Sequence, residues 1–421
     1  MVGDGRSAHV HDSIRTADGG YLLVGGERRG GNYPGPHQAT VWKVRANGSL
    51  VWTRTLAGNK TLATAIAPTD TGFVVAGVTG FEADGAAFSA RKNVTPHVWR
   101  LGTNGTITST HRVAVDGFRF PEAVVSVGDG VVLAGIADGL LVDGNPGQGD
   151  GWIARVGPEG GLAWEHAIGG PHGGQFQSLA TTASGVAVVG TLEANQSHPW
   201  VLTLRSDGTI LTNRTVGNIT GAGQVVLPTD GGDLIVGGTA SRNWTGDREH
   251  EYRLAAWRVT PDGTVVWSRR LANSSAARAT SLLRRTNGHV VVAGEINNPG
   301  ADAAVIELEM DGTVTGVALL GGQWPEYLVG VHETGDDRLV LAGYRERSDF
   351  SHIEDLWLAG LVLTGEGTGG VDDIADRTTT TTGPTSSVTP TTSGDSGPGF
   401  GVLTAAIAAL LATVLAARRG P

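Results

Sequence analysis

A pair of small residues that ends in glycine recurs seven times along the chain. The second residues of the pairs are separated by 51, 58, 55, 48, 56 and 49 positions. Repeats of about this length are typical of proteins in which each copy buries its apolar surface against its neighbours. The chain is therefore limited to architectures made of stacked copies of one unit. The pairs are Gly25-Gly26, Ala76-Gly77, Ala134-Gly135, Val189-Gly190, Gly237-Gly238, Ala293-Gly294 and Ala342-Gly343.

The fifth copy shows what one unit contains. Apolar runs at Gly223–Leu227 and Asp233–Val236 precede two alternating runs, Leu254–Val259 and Thr264–Arg269. These four runs predict four strands. The segment Pro261–Gly263 joins the last two, and Asp-Gly between apolar runs is a strong hairpin signal because Gly supplies the positive φ of such turns.

Two further markers follow the glycine pair in the same order. Six copies carry a tryptophan in the third strand, at Trp42, Trp99, Trp152, Trp200, Trp257 and Trp357. All seven carry a turn after it, at Asn47-Gly48, Asn104-Gly105, Glu159-Gly160, Asp207-Gly208, Asp262-Gly263, Asp311-Gly312 and Glu366-Gly367. Seven four-stranded units predict an all-β chain, with a seven-bladed β-propeller over residues 1–370.

Composition limits the function classes. The chain has 66 Gly among 421 residues, no Cys, and a net charge of −10. The lack of Cys excludes disulfides, thiolate metal sites and a cysteine nucleophile. No basic stripe is present to follow phosphates, so we expect no nucleic-acid partner. Lys occurs only at Lys43, Lys60 and Lys92, which fits either solubility in strong brine or an Arg-coding genome.

The composition changes abruptly after the last repeat. Residues 371–397 are rich in Thr, Ser and Pro, which cannot form a core, so we expect a disordered stalk. Residues 400–417 hold no charge. At 1.5 Å per residue they would extend about 27 Å as one hydrophobic helix, enough to cross a bilayer.

The tail at 398–421 resembles the PGF-CTERM sorting signal of haloarchaeal surface proteins. The resemblance lies in the Thr-rich stalk, the tripeptide Pro398, Gly399, Phe400, the short apolar helix and the terminal pair Arg418, Arg419. It implies processing by an archaeosortase, loss of the helix and attachment of a lipid. The protein would then lie at the extracellular face of the membrane, beneath or within an S-layer.

Two expected features are absent, one before the first repeat and one after the last. No apolar run precedes the first repeat that could serve as a secretion signal. After the turn at Glu366-Gly367 no alternating run completes the seventh unit. We expect that the true start lies upstream and supplies both the signal and the closing strand. The alternative is a last blade of three strands.

Nine Asn-x-Ser/Thr sequons agree with an extracellular location. They are Asn47, Asn59, Asn93, Asn104, Asn195, Asn213, Asn218, Asn243 and Asn273. Asn243 shares a long loop with Trp244, which lies outside the repeat markers and is our candidate for a surface contact. In contrast, Trp52, Trp164 and Trp267 occupy one repeated position, so we expect them to pack between blades.

No catalytic constellation stands out, and we expect no cofactor. His9 and His11 could share a metal, but no third ligand accompanies them. Asp143, Asn145 and Asp150 resemble a calcium loop in composition without its spacing, so we interpret them as a flexible loop. The acidic run Asp247–Glu251 is interpreted as a solvated loop.

The repeat itself resembles secreted delta-60 and quinoprotein-type propeller repeats. The matching segments are DGGYLLVGG, at Asp18–Gly26, and VWKVRANGSLVW, at Val41–Trp52. This resemblance implies the architecture and no activity. A quinone cofactor would need a Ca²⁺ site and a catalytic Asp, which the sequence does not place.

Three hypotheses about function remain. The first is an anchored, monomeric and non-catalytic propeller for binding or adhesion, with surface glycans or the S-layer as partners. The second is an extracellular carbohydrate-active hydrolase or lyase that uses carboxylates at the propeller mouth. The third is a structural scaffold of the envelope. Long connections between second and third strands, at Glu27–Ala39, Thr79–Pro96, Ala137–Gly151 and Thr239–Arg253, predict that any ligand binds on one face.

Overall fold

The computed structural model describes residues 6–29, 37–80, 94–137, 149–170, 172–241, 252–274, 277–298, 301–321, 326–335, 338–347 and 353–363. These residues form 27 β-strands in seven antiparallel sheets, without a helix. Within them no helix is long and apolar enough to cross a membrane. The predicted stalk and sorting segment lie outside the described residues.

The first four blades use strands in chain order. Blade 1 contains β1 (Arg6–Arg15), β2 (Tyr21–Arg29), β3 (His37–Val44) and β4 (Leu50–Asn59). Blade 2 contains β5 (Thr61–Thr69), β6 (Gly72–Thr79), β7 (Thr95–Gly102) and β8 (Ile107–Arg112). Blade 3 contains β9 (Arg119–Val127), β10 (Gly130–Ala137), β11 (Asp150–Val156) and β12 (Leu162–Ile168). Blade 4 contains β13 (Gly174–Thr182), β14 (Gly185–Leu192), β15 (His198–Leu204) and β16 (Ile210–Thr215).

The last three blades continue the pattern. Blade 5 contains β17 (Gly221–Pro228), β18 (Leu234–Ser241), β19 (Tyr252–Val259) and β20 (Val265–Ser274). Blade 6 contains β21 (Ala277–Arg284), β22 (Val290–Asn298), β23 (Ala301–Leu308) and β24 (Val314–Leu320). Blade 7 contributes β25 (Glu326–Glu333), β26 (Leu339–Arg347) and β27 (Ile353–Leu361), a three-stranded sheet within the described residues.

The seven sheets form a closed ring. The first strand of each blade contacts the first strand of the next, from β1 to β25, and β1 also contacts β25, β26 and β27. Apolar clusters lie between neighbouring blades; the one at the closing seam joins Val10 and Trp42 of blade 1 to Ala342 and Leu356 of blade 7. The prediction of an all-β, seven-bladed propeller is confirmed.

Each inner strand carries one bulge, which explains the repeated glycines. Two residues of the inner strand face one residue of the second strand, and the second strand has glycine beside that point. A Cβ on any of these glycines would lie less than 3.0 Å from an inner-strand carbonyl oxygen. The close approach of two backbones therefore requires a residue without a side chain. The glycines are Gly25, Gly77, Gly135, Gly190, Gly238, Gly294 and Gly343.

In blade 1 the glycine that faces the bulge is the first residue of the Gly25-Gly26 pair and not the second. Gly26 serves a different purpose, because a Cβ there would lie 2.8 Å from both His37 Nδ1 and Leu62 Cδ1. The third-strand tryptophans also occupy two positions: Trp152, Trp200 and Trp357 lie opposite the bulge glycine, and Trp42, Trp99 and Trp257 lie two residues away.

The outer tryptophans join neighbouring blades, as predicted. Trp52, Trp164 and Trp267 lie against the turn glycines Gly105, Gly208 and Gly312 of the following blade. The indole N–H groups of Trp164 and Trp267 donate to Ser206 O at 3.1 Å and Met310 O at 3.0 Å. Their regular position is therefore explained by packing between blades.

Candidate functional site

The inner strands begin at the end of the ring where the second strands end. In blade 1 the first residue of β1, Arg6, pairs with the last residue of β2, Arg29. The starts of β5, β9 and β17 pair in the same way with the ends of β6, β10 and β18. The long connections predicted for blades 1, 2, 3 and 5 lie largely outside the described residues. We call this end of the central channel the mouth.

Equivalent positions at the mouth differ strongly between blades. Two residues before the bulge, blades 2 to 5 have side chains that cannot ionise. In blades 6, 7 and 1 the same position has the ionisable residues Arg278, Tyr327 and His9. Since the other four copies build the same bulge without an ionisable residue, the architecture does not require these three side chains. The non-ionisable residues are Leu62, Phe120, Gln175 and Ala222.

Aromatic and imidazole rings form a continuous row across the seam between blades 7 and 1. Tyr327 and Tyr344 are directly opposite on β25 and β26, with ring centroids 4.7 Å apart. Tyr344 contacts His9 at 4.2 Å, and His9 contacts His11 at 4.7 Å. His11 is the bulged residue of β1 and follows His9 by two positions.

Blade 6 adds charge next to this row. Arg278 is exposed on β21, and Glu295 lies directly opposite it on β22. Burial raises the pKa of the Glu295 carboxyl, while the charges of Arg278 and His9 act in the opposite direction. We refer to His9, His11, His37, Arg278, Glu295, Tyr327 and Tyr344 as the mouth cluster.

The imidazole of His11 is neutral near pH 7. The His11 side chain is exposed to solvent. The surrounding protein still reduces its hydration, and this desolvation lowers the pKa of His11 well below 6.5. His9, His37 and Arg278 lower the pKa of His11 further. A neutral imidazole beside a protonatable carboxyl can donate and accept hydrogen bonds.

A second polar group lies deeper at the same seam. Ser13 Oγ and His332 Nε2 are 2.9 Å apart, and they connect β1 to β25. Ser13 is 7% exposed, and a Cβ on Gly330 would lie less than 3.0 Å from its Oγ. This serine is covered by the backbone of blade 7, so the pair acts as a contact between blades and is closed to a substrate.

Asp12 precedes Ser13 and connects blade 1 to blade 2. Its carboxylate accepts the N–H groups of Ile66 at 2.9 Å and of Ser13 at 2.7 Å. Burial raises the pKa of Asp12 to about 6, against the effect of both hydrogen bonds.

Most of the predicted site residues are not brought together. Asp143, Asn145 and Trp244 lie outside the described residues, as do the sorting residues. Asp150 begins β11 and lies over Gly169, where a Cβ would lie less than 3.0 Å from Asp150 Oδ1. Within the described part of the chain no group of three His, Asp or Glu residues could hold a metal.

Several sequons have structural roles of their own. Asn47 and Asn104 accept N–H groups two residues on, as Asp207 and Asp311 do in the equivalent turns. The Oδ1 atom of Asn213 accepts the indole N–H of Trp200 at 2.7 Å. Turn and packing chemistry therefore accounts for these three asparagines without a glycan.

The other sequons have no such common role. Asn59 Oδ1 accepts from Gln38 at 2.7 Å, and Asn195 and Asn218 are exposed. Asn273 lies in β20, and Asn93 and Asn243 lie outside the described residues. Glycan occupancy stays a prediction at all nine positions.

The comparisons with known proteins show the fold alone. No family model matches the chain, and no curated protein matches it. Among solved structures, puromycin hydrolase is 15% identical with a TM-score of 0.51, and the match covers 87% of this chain and 54% of that one. This chain thus spans about half of puromycin hydrolase.

Two further solved structures are WD40 propellers. The domain of Doa1 is 12% identical with a TM-score of 0.47, and the match covers 80% of this chain and 89% of that chain. The Pan2 domain of Neurospora crassa is 10% identical with a TM-score of 0.42, and the match covers 72% and 79%. At these identities no ligand or activity can be transferred.

Proposed function

We propose that this chain is a cell-surface propeller that binds its ligand at the mouth of the central channel, without catalysis. The observation that carries the proposal is the break in repeat symmetry at Arg278, Tyr327 and His9. A feature that all seven blades share serves the fold. A polar cluster confined to three adjacent blades has no such explanation, and clusters of polar groups in a concave site are typical of ligand binding.

A sedimentation experiment tests the binding proposal. The full chain is mixed with envelope fragments from cells that produce it, and the bound fraction is compared with those of Arg278→Gln and Asp207→Asn. Arg278 is exposed at the mouth, whereas Asp207 is exposed in a turn of the outer hairpin of blade 4. We expect Arg278→Gln alone to reduce binding. Equal binding by all three proteins would contradict the proposal.

The anchoring proposal rests on the tail. The order of Thr-rich stalk, Pro398–Phe400, apolar segment and Arg418–Arg419 supports processing by an archaeosortase and attachment to the outer face of the membrane, near an S-layer. Mass spectrometry of the mature protein tests it. A C-terminal peptide that lacks Arg419 and carries a lipid is expected. A peptide that is intact through Arg419 would contradict processing.

A second candidate function is favoured by Glu295. A carboxyl whose pKa is raised by burial, within electrostatic reach of His9, is suited to acid–base chemistry on a saccharide. The hydrolase version needs two carboxylates that flank the bond, and the mouth cluster has one, so a lyase is the better form. Glu295→Gln should then abolish product formation while ligand binding persists. Turnover that is unchanged in Glu295→Gln would eliminate this candidate.

A further inference from the structure

Arg278 offers an exposed cation at the mouth. Its charge acts on Glu295, which lies directly opposite, but no ion pair within 4 Å joins its guanidinium to another described residue. Other arginines of the ring are paired, as Arg258 is with Asp233 and Arg285 with Glu307 and Glu333. An exposed guanidinium presents N–H donors in a fixed planar fork that matches carboxylate geometry.

The surroundings of Arg278 select among anions. Glu295 lies directly across from Arg278. The negative charge of its carboxylate repels a dianion, such as a phosphate monoester, more than it repels a monoanion. His11 is not an additional fixed cation, since its pKa is lowered well below 6.5. The balance favours a ligand with a single negative charge.

The neighbours of that charge are suited to hydroxyl groups. Imidazole nitrogens and the phenol oxygens of Tyr327 and Tyr344 can both donate and accept hydrogen bonds, and the Glu295 carboxylate accepts them. A saccharide presents both kinds of group at short intervals. A simple fatty carboxylate presents no hydroxyl groups to these side chains.

We infer that the mouth cluster recognises a carboxylate-bearing saccharide, with Arg278 pairing with the sugar carboxylate. The inference rests on the proposed binding at the mouth and assigns its ligand class. Arg278 is a binding residue here, and His9, His11 and Glu295 serve the sugar hydroxyls.

The experiment uses a ligand pair that differs in one carboxylate. Calorimetry measures binding of methyl galactopyranosiduronate, which carries a single negative charge, and of its neutral methyl ester to the full chain, Arg278→Gln, Arg278→Lys and Arg284→Gln. Arg284 is the matched control, because it lies on the same strand at the opposite end and pairs with Asp230. Thermal melting of each variant shows that the fold is kept.

We expect the acid to bind at least 10-fold more tightly than the ester. Arg278→Gln should weaken binding of the acid by about 10- to 100-fold, the effect of a lost charge-assisted pair, and leave the ester unchanged. Arg278→Lys should be intermediate, since it keeps the charge and loses the fork. Arg284→Gln should match the parent chain.

Three kinds of contrary result have different meanings. If acid and ester bind equally and Arg278→Gln weakens both, the mouth binds saccharides and the assigned ligand class is wrong. If neither binds, or if Arg284→Gln has the larger effect, the ligand class is wrong as well, and only the envelope experiment then decides whether the mouth binds at all. Equal binding of sulfate and acid would show a general anion site and also overturn the inference.

Discussion

At the scale of single residues, the bulge of each inner strand decides what the repeat must keep. The sequence showed that a glycine recurs, but it did not show why, because a bulge adds one residue without disturbing the apolar pattern. The mouth cluster was missed because His9, Arg278 and Tyr327 occupy equivalent positions only when they are counted from the bulge. Comparing inner strands by their bulges, not by the glycines of the second strands, would have shown Arg278 and Tyr327 as exceptions.

The bulge glycines should not tolerate a methyl group. In Gly238→Ala, the new Cβ would lie less than 3.0 Å from Ala222 O, so the backbones must separate. We expect a loss of about 1–3 kcal/mol in the free energy of unfolding. Gly360→Ala is the control, since nothing lies within 4 Å of its Cβ position. Denaturant titration measures both, and equal midpoints would contradict the role given to the bulge.

At the scale of strands and blades, interactions between neighbours hold the ring together. The sequence predicted the strand order and the packing of the outer tryptophans well, because both repeat at fixed spacing. It could not predict which charged residues meet between blades, since those pairs join positions about 50 residues apart and differ from blade to blade. Arg285 is the main example, buried between Glu307 and Glu333 at 2.7 and 2.9 Å.

The outer tryptophan of blade 5 should contribute through its contact with blade 6. Trp267→Ala removes packing on Gly312 and the hydrogen bond to Met310 O. For a partly buried indole we expect a loss of about 1–3 kcal/mol. Val266→Ala, on the same strand and 51% exposed, should change the stability by less than about 0.5 kcal/mol. Thermal melting of both variants checks this, and similar melting temperatures would refute the packing role.

Arg285 forms buried ion pairs with Glu307 of its own blade and with Glu333 of blade 7, so the fold should be sensitive to loss of its guanidinium. Arg285→Met leaves the Glu307 and Glu333 carboxylates, each 8% exposed, without their guanidinium. We expect a cost of about 3–5 kcal/mol. The adjacent Arg284→Met breaks an exposed, solvent-screened pair with Asp230 and should change the stability far less. Urea titration separates the two, and a larger effect at Arg284 would contradict this account.

At the scale of the whole molecule, two groups that join blade 1 to its neighbours respond to pH in opposite directions: His332 contacts it from blade 7, and Asp12 connects it to blade 2. The pKa of His332 is lowered to about 4, chiefly by burial, so the unfolded chain takes up this proton first. Its contribution to stability is complete above pH 6.5 and is lost as the pH falls toward 4. The pKa of Asp12 is raised to about 6, so its contribution is complete below pH 3.8 and is lost as the pH rises through 6.

Substitution should separate these two responses. His332→Gln removes the loss of stability on acidification, so its unfolding midpoint should change less between pH 6.5 and 4 than that of the parent chain. Asp12→Asn removes the opposing contribution, so its midpoint should fall more steeply over the same range. Urea titrations at four pH values test both slopes. Identical slopes in the three proteins would show that neither group contributes to the pH dependence of stability.

The shape of the molecule was predictable from the sequence, and the position of its site was not. Seven copies of one marker order are enough to specify a ring, since only stacking buries their faces. The site arises where the ring closes, and residues 9 and 344 become neighbours there at a ring distance of 4.2 Å. No local pattern contains that contact, because it exists only after the first and last blades meet.

Side-chain footprinting tests the central claim most directly. Hydroxyl-radical labelling of the full chain, with and without envelope fragments from the producing cell, reports the protection of individual His, Tyr and Trp side chains. We predict protection at His9, Tyr327 and Tyr344, with Trp52 and Trp267 of the outer strands unchanged. Protection confined to the outer strands, or none at the mouth while the fragments are bound, would contradict the proposal that this propeller binds through its mouth.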